Sequence, residues 1–195
     1  MTPPLRPAPV IARTRAWLQR AVIGLNLCPF AKAVEAKGQV RYVVSDATDP
    51  ECLLDDLCRE LDMLAETDAA TVDTTLLIHP QVLVDFLDYN DFLDRADAAI
   101  ERLGHAGVLQ VASFHPDYQF AGTAPDDVEN ASNRSPYPTL HLLREASIDR
   151  AVAAFPEAES IYETNILTLR QLGRDGWAAL QAEIDRDARG AAATR

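Results

Sequence analysis

The chain has 195 residues, 48% of them hydrophobic, which is enough for one sizeable core and too little for two full domains to be the first expectation. Its 18 basic residues against 30 acidic ones leave a formal charge of -12, which repels phosphate backbones and anionic lipid surfaces and excludes nucleic acid and membranes as expected partners. No apolar run approaches the roughly 18 residues of a membrane span, and residues 1–10 lack the apolar stretch of a signal peptide, so the expected location is the cytoplasm with Cys28, Cys52 and Cys58 reduced.

Residues 1–9 are Pro-rich and expected to be loose, residues 189–195 are expected to fray, and 10–188 are expected to form a single domain. Trp17, Leu18, Ala21, Val22 and Leu25 recur at helical spacing and predict a first amphipathic helix ending near Asn26. In the island N-L-C-P-F-A that follows, Pro29 is suited to the first position of a short helix closing at Gly38, with Cys28 as its N-cap. The helix dipole and Lys32, one turn on, would both favour a thiolate there. V-R-Y-V-V, residues 40–44, reads as a strand. Asp49 then caps and Pro50 opens a helix whose stripe is Leu53, Leu54, Leu57, Leu61 and Leu64. Cys52 and Cys58 ride on that helix as packing residues. T-T-L-L-I, residues 74–78, is a second strand, and a helix through Phe92, Ala96, Ala99, Ile100 and Leu103 ends at Gly104. V-L-Q-V-A-S-F, residues 108–114, is a third strand. After a long connection come helices over 138–155, stopped by Pro156, then around Ile161, Leu169 and Leu172, closed by Gly173, and last through Trp177, Leu180 and Ile184. The fold class expected is α/β, with a small, mainly parallel three-stranded β-α-β-α-β core, an N-terminal helix and about three additional C-terminal helices.

Two strands end in the same dipeptide, L-L-I-H-P at His79 and A-S-F-H-P at His115. As parallel neighbours they would place both imidazoles at the carboxyl edge of the sheet, where open α/β folds bind ligands. The alternative is that each histidine merely ties its strand end to a nearby carbonyl. The connection from His115 to Tyr137 is longer than an idle loop needs, and its aromatic and proline residues favour order over disorder. Asp117, Tyr118, Asn130, Asn133 and Arg134 in it supply the mixture a polar small-molecule site requires, though Asn and Asp also serve as turn formers. On the helix expected over 138–155, His141 and Arg144 fall on the face of Leu140, Ile148, Ala151 and Val152. A charged Arg144 there needs a ligand or an internal ion pair, for instance with Glu145. Asn165 falls in the middle of the next apolar stripe and reads as a tie to backbone.

N-L-C-P-F-A, F-H-P-D-Y-Q-F and N-R-S-P-Y-P-T-L-H-L-L-R-E together resemble the uncharacterised bacterial family Domain of Unknown Function 1415 over nearly the whole chain. The resemblance implies a bacterial, soluble, single-domain protein and brings no activity with it. Locally, residues 28–44 are similar to the active-site helix and following strand of glutaredoxins and omega-type glutathione transferases, which implies a reactive thiol at Cys28.

The expectation drawn from the residues is a small-molecule enzyme. Cys28 would act as nucleophile, His115 or His141 as general base, and Lys32, Asp117, Tyr118, Asn130, Asn133, Arg134 and Arg144 would hold a small polar or anionic molecule. A transition metal on His79, His115 and His141, with Cys28 or Asp117, is the other chemistry these residue types permit. A glutaredoxin-like redox protein using Cys28, and a non-catalytic module gripping a metabolite or protein partner, are the alternatives. There is no G-x-G-x-x-G, phosphate-binding loop or G-x-S-x-G.

Overall fold

The computed structural model of the protein describes residues 6–154 and 160–193. Pro156, expected to stop a helix, lies outside these residues, as do residues 1–5 and 194–195 of the two ends expected to be loose; residues 189–193 of the second end are helical. Helix α1 begins at Pro7, inside the stretch expected to be loose, and runs to Trp17; it continues as a π-helical segment, Leu18–Ile23, and the chain turns at Asn26 with φ 55°. Then follow α2 (Ala31–Ala36), β1 (Val40–Val44), α3 (Pro50–Glu66), β2 (Thr74–Ile78), α4 (Phe86–Arg102) and β3 (Leu109–Phe114). After a short 3-10 helix, Val128–Asn133, come β4 (Thr139–Arg144), α5 (Glu145–Ala154) and α6 (Ile161–Ala193). Asp49 caps α3 by accepting the Cys52 N–H, with Pro50 in the first turn, and Gly104 follows α4 at φ 75°. Gly173 breaks α6 at φ 68°, ψ 175°, where the sequence had one helix close and another begin. Among the described residues, no helix is long and apolar enough to cross a membrane.

The α/β class holds, but the core is not a three-stranded parallel sheet. Four strands lie in the order β1-β2-β4-β3, with β1 and β2 parallel and β4 antiparallel to both β2 and β3. Residues 139–144, expected to begin a helix, are the strand inserted between β2 and β3. Alternation decides the matter: Leu140 and Leu142 are fully buried against α3 and α4, while His141 and Leu143 point to the opposite face. A short run with leucines at 140, 142 and 143 fits either period. Hydrogen-bonded rows on both sides, absent from any local signal, select the strand.

One face of the sheet is closed by the leucine stripe of α3 (Leu53, Leu57, Leu61, Leu64) and by Tyr89, Phe92, Ala96 and Ile100 of α4. On the other face α1 and its π-helical extension pack on α6 through Trp17, Ala21, Val22, Leu169, Trp177 and Ile184. The ion pairs Arg13–Asp185, Arg20–Glu183 and Arg20–Asp187 flank that helix pair at the surface and orient it more than they stabilise it. Asn165 of α6 donates to the Leu27 carbonyl at 2.9 Å, the backbone tie expected of it.

Candidate functional site

On the face turned away from α3 and α4, the sheet presents three rows of side chains. Register sets them: Val40, Thr74, Leu143 and Gln110 form the first, Tyr42, Leu76, His141 and Ala112 the second, and Val44, Ile78, Thr139 and Phe114 the third. His141 therefore stands at the middle of a mostly apolar floor. Trp17, Leu18 and Val22 form one wall over it, the Cys28–Val34 segment with α2 a second, and Ile148, Ala151 and Ala154 of α5 a third. They enclose a cavity of about 630 Å³, within the range that takes drug-sized ligands. Trp17 meets Phe114 edge to face at 5.2 Å, and Phe114 lies 5.8 Å from the His141 ring, so an aromatic row leads from the wall to the imidazole.

The proton count at His141 fixes its tautomer. The Thr74 hydroxyl has one proton, given to the Leu142 carbonyl at 2.6 Å, so the 2.7 Å contact between Thr74 Oγ1 and His141 Nε2 requires Nε2 to carry the hydrogen. Nδ1 is left as the acceptor and has no hydrogen-bond partner among the described residues. Burial pushes the imidazole down to about 4, so it is neutral at neutral pH. Cys28 lines the same cavity. It is not the N-cap of α2, which starts at Ala31 with Phe30 in the cap position. Burial raises its thiol pKa, outweighing the Phe30 and Ala31 N–H groups that act to lower it. Lys32, expected to favour a thiolate, is exposed on α2 and does not line the cavity. At the rim, Ser147 donates to Asp73 at 2.6 Å.

The other residues expected to join this site lie elsewhere. His79 and His115 do sit at one sheet edge, but facing α4, on the far side of the sheet from His141. His79 Nδ1 donates to the Val82 carbonyl at 3.0 Å and His115 Nε2 to the Leu83 carbonyl at 3.2 Å, so the two imidazoles pin successive carbonyls of the loop entering α4. Leu83 holds φ 53° to present its carbonyl this way. His115 Nδ1 accepts the Asp117 N–H at 3.0 Å, so both its nitrogens are engaged by backbone. Tyr89 lies 5.7 Å from the His79 ring and 5.1 Å from His115. His79 is pushed down to about 4 by burial, and its Nε2 is buried without a partner. With His141 on the opposite face, the three histidines do not converge on a metal, and no group of three metal-ligating side chains occurs among the described residues.

The 115–137 connection is ordered, as expected, but by spending its polar groups on itself. Asn130 is fully buried; its Oδ1 accepts from the Phe120 N–H and the Thr123 hydroxyl, and its Nδ2 donates to Ala124. Asn133 donates to the Ser113 carbonyl, and its own carbonyl accepts the His115 N–H. Arg134 donates to the carbonyls of Tyr118 at 3.1 Å and Pro125 at 2.5 Å, and lines a separate small cavity of about 120 Å³ with Arg13 and Asp185. Tyr118 packs on Phe86 and Phe120, and Asp117 is exposed. Arg144 meets neither a ligand nor Glu145. Strand parity turns it toward α3, where its guanidinium holds the carbonyls of Leu64, Thr67 and Val72 at 2.6, 2.5 and 3.0 Å, closing the C-terminal end of that helix.

Of the expected site residues, then, the fold brings Cys28 and His141 to one cavity, leaves the side chains of Lys32 and Asp117 exposed, and takes the rest to structural positions. The cavity's apolar floor, Leu76, Ala112 and Leu143, escaped sequence reasoning because only strand register puts these residues side by side. The likeness of residues 28–44 to a glutaredoxin segment does not extend to its surroundings: the chain reaches Cys28 from a helix, and Cys52 and Cys58 lie on α3, across the sheet. No curated protein and no solved structure matches the chain. Residues 9–179 match one family, and the chain belongs to it: Protein of unknown function (DUF1415).

Proposed function

We propose that this chain is a small-molecule-binding protein whose ligand lies in the cavity between the sheet and α1, α2 and α5, against His141 and Cys28. The observation that carries this is that the imidazole and the thiol wall one largely apolar space of about 630 Å³. Both groups are uncharged at neutral pH, which suits binding better than nucleophilic attack.

A thiol enzyme is the second reading, and the specific observation favouring it is the pair of backbone N–H groups, from Phe30 and Ala31, that act on the Cys28 sulfur. The pH dependence of alkylation separates the two. Under the binding reading, the rate of iodoacetamide attack at Cys28, followed by peptide mass spectrometry, climbs through pH 9 and above, as a buried neutral thiol requires. A rate already flat from pH 7 upward would mean a standing thiolate and would favour the enzyme.

A further inference from the structure

The lining of the cavity is one-sided in charge. Among the described residues that wall it there is no lysine or arginine, and the carboxylate present, Asp73, stands at the rim in a chain of net charge -12. An anionic group carried inside would have no cation to meet and would lose its hydration without replacement. A cationic group would find only the rim carboxylate, already accepting from Ser147, and would remain remote from the aromatic end at Trp17 and Phe114.

Hydrogen-bonding capacity at the middle of the floor is equally one-sided, the amide of Gln110 standing exposed on the edge strand β3. Thr74 is spent on the Leu142 carbonyl and the His141 Nε2–H, so the groove's central polar feature is the His141 Nδ1 lone pair, which accepts and cannot donate. Around it lie Leu76 and Ala112 in the same row and Phe114 one row beyond.

We infer that the cavity takes an uncharged, mostly apolar molecule bearing one hydrogen-bond-donating group, such as an alcohol, phenol or amide N–H, with that donor on His141 Nδ1 and the apolar body running toward Phe114 and Trp17. The inference rests on the proposed role of the cavity as a binding site and adds the chemical class of the ligand. It replaces the polar or anionic molecule expected from the loop residues, whose cationic and amide groups are engaged elsewhere.

The test uses pyrene, a hydrocarbon fluorophore without polar atoms, bound to the full-length protein at pH 7.5 and displaced by four competitors built on a ten-carbon chain: decanol, methyl decyl ether, decanoate and decylammonium. Decanol is expected to displace pyrene at concentrations about five- to tenfold below the ether, the worth of one hydrogen bond, and at least tenfold below either ion. His141→Phe, checked for folding by circular dichroism, abolishes the preference of decanol over the ether while pyrene still binds; His141→Gln, which keeps an acceptor, retains part of it. The ether comparison needs no variant and so stands even if His141→Phe fails to fold. Decanoate or decylammonium binding as well as decanol, or the ether matching it, overturns the assigned class while pyrene binding still upholds the cavity. If pyrene and all four competitors fail to bind, the binding role itself falls.

Discussion

Between pH 7 and pH 5 the protein is expected to lose up to about 4 kcal/mol of stability through His79, fully buried, and His141, half-buried on the cavity floor. His79 and His141 are each held near 4 in the fold against an ordinary value of 6.5. The unfolded chain therefore binds protons first as pH falls, and each imidazole's contribution is full above 6.5 and drains away down to about 4. At about 1.4 kcal/mol per pH unit per proton, the two together cost up to about 4 kcal/mol by pH 5, a large share of a typical total of about 5–15 kcal/mol. His115 is also depressed by burial and acts in the same direction. Carboxylates held low, such as Asp49 and Glu129, add their effect only at more acid pH, so the window from 6.5 to 5 isolates the histidines. Urea unfolding at half-unit steps of pH measures the slope, and His141→Gln, uncharged throughout, should remove roughly half of it. A stability flat across this window would mean that neither ring is desolvated as the fold requires.

Replacing Arg144 by methionine is expected to lower stability by about 2–4 kcal/mol. The guanidinium satisfies three carbonyls, those of Leu64, Thr67 and Val72, left over where α3 ends and the chain turns into β2. Hydrogen bonds from a charged donor are worth about 1.5–3 kcal/mol each, and the half-buried position discounts their sum. Arg144→Lys should recover only part, because a compact ammonium cannot span three carbonyls as a planar fork does. The shift in urea midpoint gives the magnitude. A loss below about 1 kcal/mol for Arg144→Met would show that water replaces the guanidinium freely and that Arg144 is not what ends α3.

Arg144 also shows how far the sequence could be read. Its need for partners was legible from a charge beside an apolar stripe, but the partners were not, because that stripe fits helical period as well as strand period. On a helix His141 and Arg144 share a face; on β4 they lie on opposite faces, and that one change of period sends Arg144 to α3 and His141 to the cavity. Elements with local signals came through: the Asp49-Pro50 start of α3, the leucine stripe behind it, the end of α4 at Gly104 and the break at Gly173. The paired His-Pro dipeptides end parallel strands at one sheet edge, but with β4 between those strands instead of as neighbours. Their role as ties for the Val82 and Leu83 carbonyls depends on a positive φ at Leu83, a residue that gives no sign of it in sequence. The polar loop looked like a ligand site because backbone carbonyls, its true partners, carry no letter in a sequence.

A ligand in the space between the sheet and the helices should shield Cys28. The chain holds an internal control for it, since Cys52 is exposed on α3 across the sheet and Cys28 lines the cavity. Labelling by N-ethylmaleimide with and without saturating pyrene, resolved by peptide mass spectrometry, reads that shielding. Pyrene is expected to slow labelling of Cys28 at least tenfold and to leave the rate at Cys52 unchanged. Bound pyrene with Cys28 labelled as fast as in its absence would contradict a ligand site beside Cys28.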